Sequence, residues 1–202
     1  MGIPQPRHFC TADDYLALER QSEERHQFVD GQIYAMAGES PEHSTIVCNA
    51  TAILVPQLRA GRCRTFSANM KIRSGAEQRD SRRGFFSYAD LSVVCGEPRF
   101  HDEHRDVLLN PTMIIEVLSP STEAFDRGEK FQRYAAHLET LSDYLLVSTA
   151  KPLIEHFRRR PAGQWLYSSV EGPESRLEVE SIGCSLPLAE VFERVEFPAK
   201  EE

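Results

Sequence analysis

Apolar residues recur at helical spacing in some stretches of this chain and at strand spacing in most of the others. Over residues 42–60, Ile46, Ala50, Ile53, Leu54 and Leu58 share one helical face, and Gly61 stands where such a helix would stop. Pro56 lies inside that pattern and predicts a kink or an early end. Thr11-Ala12-Asp13-Asp14 approximates a capping box, predicting a short helix that buries Tyr15, Leu16 and Leu18. Residues 122–137 read as a third helix carrying Phe125, Phe131, Tyr134 and Ala135, with Ser121 or Thr122 as its N-cap. A short helix over 187–192 closes the pattern.

Strand-like segments fill the intervals. Residues 26–36 alternate around Asp30-Gly31, a strong hairpin signal. Residues 64–73 predict one strand with Phe66, Ala68, Met70 and Ile72 on one side. Two apolar strands, 88–94 and 113–118, flank the polar stretch 96–110. Further strands are expected at 144–147 and 153–157, and 165–170 with 177–182 should extend the sheet. Residues 74–84 read as a loop and 199–202 as a frayed tail. Strands before, within and after a strand–helix–strand centre predict an α/β (α+β) fold, a mixed β-sheet flanked by helices. A length of 202 residues favours one domain with a core from about 11 to 192.

Composition changes this picture little. Hydrophobic residues make up 41% and charged residues 27%, ordinary for a folded domain and against extensive disorder. Nothing resembles a signal peptide or a spanning helix, so a cytoplasmic location and no membrane association are expected. The five cysteines Cys10, Cys48, Cys63, Cys95 and Cys184 are odd in number and irregularly spaced. That argues against a disulfide framework or thiolate zinc site and predicts reduced thiols, with Cys48 and Cys95 in the core. The net charge of −8 gives no encouragement to a nucleic-acid partner, unless basic residues gather at a cleft.

Two acids stand out. Asp90 interrupts the apolar run Tyr88-Ala89-Asp90-Leu91-Ser92-Val93-Val94, and Glu116 interrupts Met113-Ile114-Ile115-Glu116-Val117-Leu118. A carboxylate inside an apolar strand is expensive to bury unless it is paired or binds a cation. On neighbouring strands the two could share one Mg²⁺ or Mn²⁺, with the Val117 carbonyl as a further oxygen ligand. Otherwise each acid marks a strand end or pairs with an arginine. Asp126 and Lys130 are four apart on the following helix. They form either a surface ion pair or a group in which Lys130 points back to the carboxylates.

These residues carry a resemblance. Asp90 to Val94, then Ile115-Glu116-Val117-Leu118-Ser119-Pro120-Ser121-Thr122, then Asp126-Arg127, Lys130-Phe131 and Tyr134 resemble the Uma2 family of the PD-(D/E)XK nuclease superfamily. Phe28 to Met36, with His43 after it, also matches, so the likeness spans roughly residues 11–192. It implies a restriction-endonuclease-like core and Mg²⁺- or Mn²⁺-dependent hydrolysis of DNA by a homodimer. Asp90 and Glu116 would then be the two superfamily acids. Ala89 replaces the usual proline, and Leu118 replaces the usual lysine, which makes Lys130 the migrated catalytic lysine. Gln27 stands where many relatives carry a glutamate, and its neutral carbonyl would be a weaker ligand. His43 is a candidate for the cleft rim, and Arg79, Arg82 and Arg83, or Arg158-Arg159-Arg160, could contact phosphates. A nuclease-fold protein that binds nucleic acid or a protein partner without cutting is the runner-up, favoured by Gln27 and the acidic charge, and an unrelated hydrolase with paired carboxylates, such as a glycosidase, is a third reading.

Overall fold

The computed structural model describes residues 10–36, 38–75 and 82–198. Helix α1 (Ala12–Glu19) starts at the expected capping box. The Thr11 side chain accepts the Asp14 amide at 3.2 Å, and Asp14 returns a bond to the Thr11 amide at 2.9 Å. Tyr15 and Leu16 are buried as expected, but Leu18 is exposed. Strands β1 (His26–Val29) and β2 (Gln32–Ala35) form the predicted hairpin. Asp30 and Gly31 both adopt positive φ, 45° and 87°, as a two-residue turn twisted with its strands requires.

Helix α2 (Pro41–Leu58) runs through Pro56, which sits in the last turn. The helix ends there without breaking earlier. The predicted strand over 64–73 is two strands, β3 (Cys63–Ser67) and β4 (Lys71–Ser74), divided by a turn closed from Met70 N to Ser67 O at 3.0 Å. Likewise the predicted strand over 88–94 is β5 (Phe85–Tyr88) and β6 (Leu91–Cys95), broken at Ala89-Asp90. Apolar residues continue on both sides of each joint, with Asp90 alone interrupting the second, so periodicity does not show that the chain changes sheets there. Strand β7 (Val107–Leu108) lies in the stretch expected to be only polar loop. Then come β8 (Met113–Val117), β9 (Asp143–Val147), β10 (Leu153–Arg159) and β11 (Trp165–Glu171).

Between β8 and β9 the expected single helix is composite. Helix α3 (Glu123–Phe125) passes into a π-helical turn (Asp126–Lys130) and then α4 (Phe131–His137). Thr122 occupies the N-cap but makes no capping bond; its hydroxyl lies 2.9 Å from that of Ser119. The chain finishes with β12 (Arg176–Val179), β13 (Cys184–Pro187) and α5 (Leu188–Val191). Strand β12 pairs with β13, so residues 177–182 do not extend a large sheet. The residues of the expected tail, 199–202, lie outside the described ones.

Two mixed sheets result, ordered β2-β1-β5-β4-β7 and β11-β10-β9-β8-β6-β3. The six-stranded sheet is covered on both faces. Ile46, Ala50, Leu54 and Leu58 of α2 pack on Leu91, Val93, Met113, Ile115 and Val117. Tyr134 of α4 packs on the opposite face with Ile114, Tyr144 and Leu146. Each fully buried side chain of this kind contributes roughly 1.5–3 kcal/mol. Both faces of β8 are therefore core, which explains its continuous apolar run and makes Glu116 an anomaly.

The cysteine expectation is overturned. Cys63 and Cys95 face each other across the β3–β6 ladder and form a disulfide. Cross-strand register, invisible in spacing, brings them together, and with it the argument from thiols to a reducing compartment falls. Cys48 is exposed, not core. It lies two residues beyond Ile46, on the far side of α2. No helix among the described residues is long and apolar enough to cross a membrane.

Candidate active site

The two sheets hand the chain to one another at Ala89-Asp90, and this joint creates the site. In the antiparallel β6–β8 ladder Leu91 pairs with Ile115, so Asp90, just before β6, comes level with Glu116. Asp90 therefore stands at a strand break, not inside a strand. Its Oδ2 accepts the Val117 amide at 2.7 Å and faces His43 Nε2 at 3.1 Å. Oδ1 takes part in none of the bonds described for this residue.

Glu116 is 3% exposed. Its Oε2 lies 2.8 Å from Lys130 Nζ, while its Oε1 is buried and has no hydrogen-bond partner. Such an oxygen costs about 1–3 kcal/mol when left unmatched, more if charged. Lys130 also donates to the Tyr88 carbonyl at 3.0 Å and pairs with Asp126 Oδ1 at 3.2 Å. All three ammonium protons thus have acceptors. The expected i,i+4 pair is buried, not at the surface. The π-helical turn directs both Asp126 and Lys130 inward while Glu129 stays in solvent. Such turns recur at functional sites because the extra residue re-aims side chains.

Two carboxylates, Glu116 and Asp126, thus pair with one ammonium, and Asp90 adds its charge on the side of Glu116. Burial first, and then the neighbouring Asp126 and Asp90, hold the Glu116 carboxyl well above its ordinary range, against the opposing pull of Lys130. Burial opposes charge on Lys130, but Glu116 and Asp126 outweigh it and keep the ammonium protonated far into the alkaline range. Burial also disfavours charge on His43. Its bond to Asp90, with Glu39 beyond, raises the imidazole above its usual value.

The remaining candidates divide. Gln27 lies on β1 beside Ser87, whose hydroxyl donates to its Oε1 at 3.4 Å. Ser87 precedes Tyr88, so Gln27 is linked to the Lys130 cluster through the β5 backbone and has no direct contact with either acid among the bonds described. Arg82 and Arg83 are exposed, and Arg79 lies outside the described residues. The arginine triplet is largely committed elsewhere. Arg158 pairs with Glu180, and Arg159 donates to the carbonyls of Leu141, Ala135 and Leu138 and lies over the Trp165 ring. The Tyr88 carbonyl and Glu39 were not singled out from sequence, while Asp126 was noted for its four-residue spacing from Lys130. Glu39 carried the same kind of signal, its four-residue spacing from His43.

The architecture is that of a nuclease-like fold. The crystal structure of a protein from Anabaena variabilis, described as a "putative nuclease belonging to DUF820", matches with a TM-score of 0.71, covering 90% of this chain and 97% of that one. Identity is 18%, so this likeness speaks for the fold alone. Residues 12–189 match the Uma2 family, described as "Putative restriction endonuclease", and the chain belongs to that family. Two Synechocystis proteins are similar to it, both uncharacterized. The protein slr1290 is 36% identical over 97% of each chain. The protein sll1609 is 29% identical over 88% of this chain and 97% of its own.

Proposed function

We propose that this chain is a metal-dependent endonuclease hydrolysing phosphodiester bonds in DNA, with Asp90, Glu116 and the Val117 carbonyl holding Mg²⁺ or Mn²⁺. The observation that carries this reading is the partnerless Oε1 of Glu116, buried beside Asp90. An all-oxygen donor set suits a hard divalent cation, and a cation there would relieve both the unmatched oxygen and the excess of carboxylates. Bound in this place, such a cation supplies Lewis acidity to a phosphoryl oxygen and lowers the pKa of a coordinated water.

The protein's own groups do the positioning. The Val117 amide fixes Asp90 through Oδ2, which turns Oδ1 toward any ligand. Lys130 holds Glu116 by Oε2 and leaves Oε1 bare. Its fixed positive charge lies close enough to offset negative charge growing on a phosphate beside Glu116. Arg82 and Arg83 would supply backbone contacts to DNA, whose affinity would fall with salt as counterions are released. A homodimer would suit cleavage of both strands, and a cytoplasmic location rests on the DNA substrate rather than on the thiols. The net charge of −8 and the neutral Gln27 favour the second reading, a nuclease-fold protein that binds without cutting.

Supercoiled plasmid incubated with Mn²⁺ or Mg²⁺ at low salt decides between them. Slow nicking by the wild type that falls by several orders of magnitude in Glu116→Ala supports the nuclease, since metal-assisted stabilisation is worth several kcal/mol and each ~1.4 kcal/mol is tenfold. Equal nicking by both proteins refutes the assigned site. Binding of DNA without nicking, across both metals, moves the assignment to the non-cleaving reading.

A further inference from the structure

The N-terminal turn of α2 carries a second group of donors that the all-oxygen position does not use. Asp90 Oδ2 sits 3.1 Å from His43 Nε2. A carboxylate oxygen accepts, so Nε2 carries a proton, and a cation at Nδ1 takes the place of the ring's second proton. His43 Nδ1 is buried and has no hydrogen-bond partner, on a side chain only 10% exposed. It points toward Glu39, whose Oε2 is 3.6 Å away. That separation is too long for a hydrogen bond. It is close to the spacing of two ligands on one cation, since bonds of roughly 2.1 Å at tetrahedral or octahedral angles set them about 3.0–3.5 Å apart. One donor atom from each of Glu39, His43 and Asp90 lies within 4.8 Å of the other two.

We infer that Glu39 and His43 Nδ1 form a second cation site, selective for Mn²⁺ and similar first-row divalents, with Asp90 orienting the imidazole. An imidazole nitrogen ranks transition cations above Mg²⁺ and Ca²⁺, which prefer oxygen. The arrangement Asp90–His43–cation is the carboxylate–histidine–metal relay by which proteins fix the ligating tautomer. The positive end of α2 works against a cation, but such a dipole is worth only about 0.3–1 kcal/mol and is roughly half a charge. Arg25 Nη2, 3.5 Å from Glu39 Oε1, offsets part of that carboxylate's charge, but with Asp90 the sum of these groups and the half-charge of the helix end stays negative, and Glu39 Oε2 still faces His43. Glu39 is exposed, so water and a cation have access from solvent. The site goes beyond the nuclease reading and does not need the chain to cut DNA.

The test uses Mn²⁺ alone with the full-length protein, which avoids the free thiols that would capture softer metals. Free Mn²⁺ is counted by electron paramagnetic resonance, and spin-echo modulation reports a directly bound nitrogen. The wild type should show nitrogen modulation that disappears in His43→Ala. Glu39→Gln, at an exposed position that should not disturb folding, should weaken the nitrogen-bearing site about tenfold or more. Glu116→Gln should leave the nitrogen signal in place. If it does so while the wild type binds only one Mn²⁺, this site stands and the Asp90–Glu116 metal position fails. Absence of nitrogen modulation in the wild type would reduce Glu39–His43 to an ion pair and overturn the inference. So would modulation that survives His43→Ala, or modulation lost in Glu116→Gln.

Discussion

Replacing Lys130 with methionine removes the ammonium but keeps most of the side-chain volume. In the native chain that ammonium meets Glu116 Oε2, Asp126 Oδ1 and the Tyr88 carbonyl at 2.8, 3.2 and 3.0 Å, with the lysine side chain 6% exposed. Taking one partner from a buried ion pair strands the other, at a cost of about 3–5 kcal/mol. For a chain of this size each kcal/mol moves Tm by ~2–4 °C, so a loss of roughly 6–20 °C is expected at pH 8. The pH dependence gives a sharper check. The Glu116 pKa is already raised in the folded protein by burial, and losing Lys130 raises it further. A carboxyl whose folded pKa exceeds its unfolded value binds more protons when folded, so stability falls as pH rises above the unfolded value of about 4.3. The variant's deficit should therefore shrink as pH drops from 8 toward 5. Circular-dichroism melts of both proteins across that range measure it. A Lys130→Met protein melting within ~2 °C of wild type at pH 8, or a deficit that grows on acidification, would refute the buried-cluster argument.

Two other outcomes follow from the same physical reasoning. Burial opposes the charge of Asp106, but its bonds to Arg20 at 2.8 Å and Lys71 at 3.0 Å hold its pKa well below the usual range. With the carboxylate 27% exposed, Asp106→Asn should cost about 1–2 kcal/mol in urea unfolding at pH 7. That deficit should begin to shrink as pH falls through about 4, the unfolded value, and go on shrinking toward the lower folded value; a deficit constant down to pH 2 contradicts the assignment. The Cys63–Cys95 bridge closes a separation of 32 residues, worth about 3–4 kcal/mol on a chain-entropy account. Unfolded without reductant, the protein should therefore titrate three thiols, and all five after reduction; five without reductant excludes the bridge.

Where local chemistry decides an element, the chain was readable. Asp30-Gly31 names its turn, Thr11 and Asp14 name a helix start, and the α2 face is set by a 3.6-residue period. Glu116 was legible as an anomaly because no apolar strand tolerates a lone acid. What depends on tertiary register was not readable. The chain leaves one sheet for the other at Ala89-Asp90 without a glycine or proline, so Asp90 read as an acid inside a strand and not as a strand break. Cys63 meets Cys95 only because β3 and β6 pair in one particular register. The π-helical turn at Asp126–Lys130 has no sequence signature of its own, and it is what turns the pair inward, where the sequence left open a surface pair or a Lys130 directed at the carboxylates. Lys130 was noted through its spacing from Asp126, and the family resemblance added its catalytic role. Nothing in its distance from Glu116 along the chain dictates their contact.

The central claim is that Asp90 and Glu116 hold a divalent cation, and calorimetric titration of Mg²⁺ tests it most directly, because Mg²⁺ discriminates against the imidazole-bearing position. Wild-type protein should bind one Mg²⁺ at the all-oxygen site, and binding should be lost in both Asp90→Ala and Glu116→Gln while the variants remain folded. Undiminished Mg²⁺ binding by Glu116→Gln, or none by the wild type, would contradict the account.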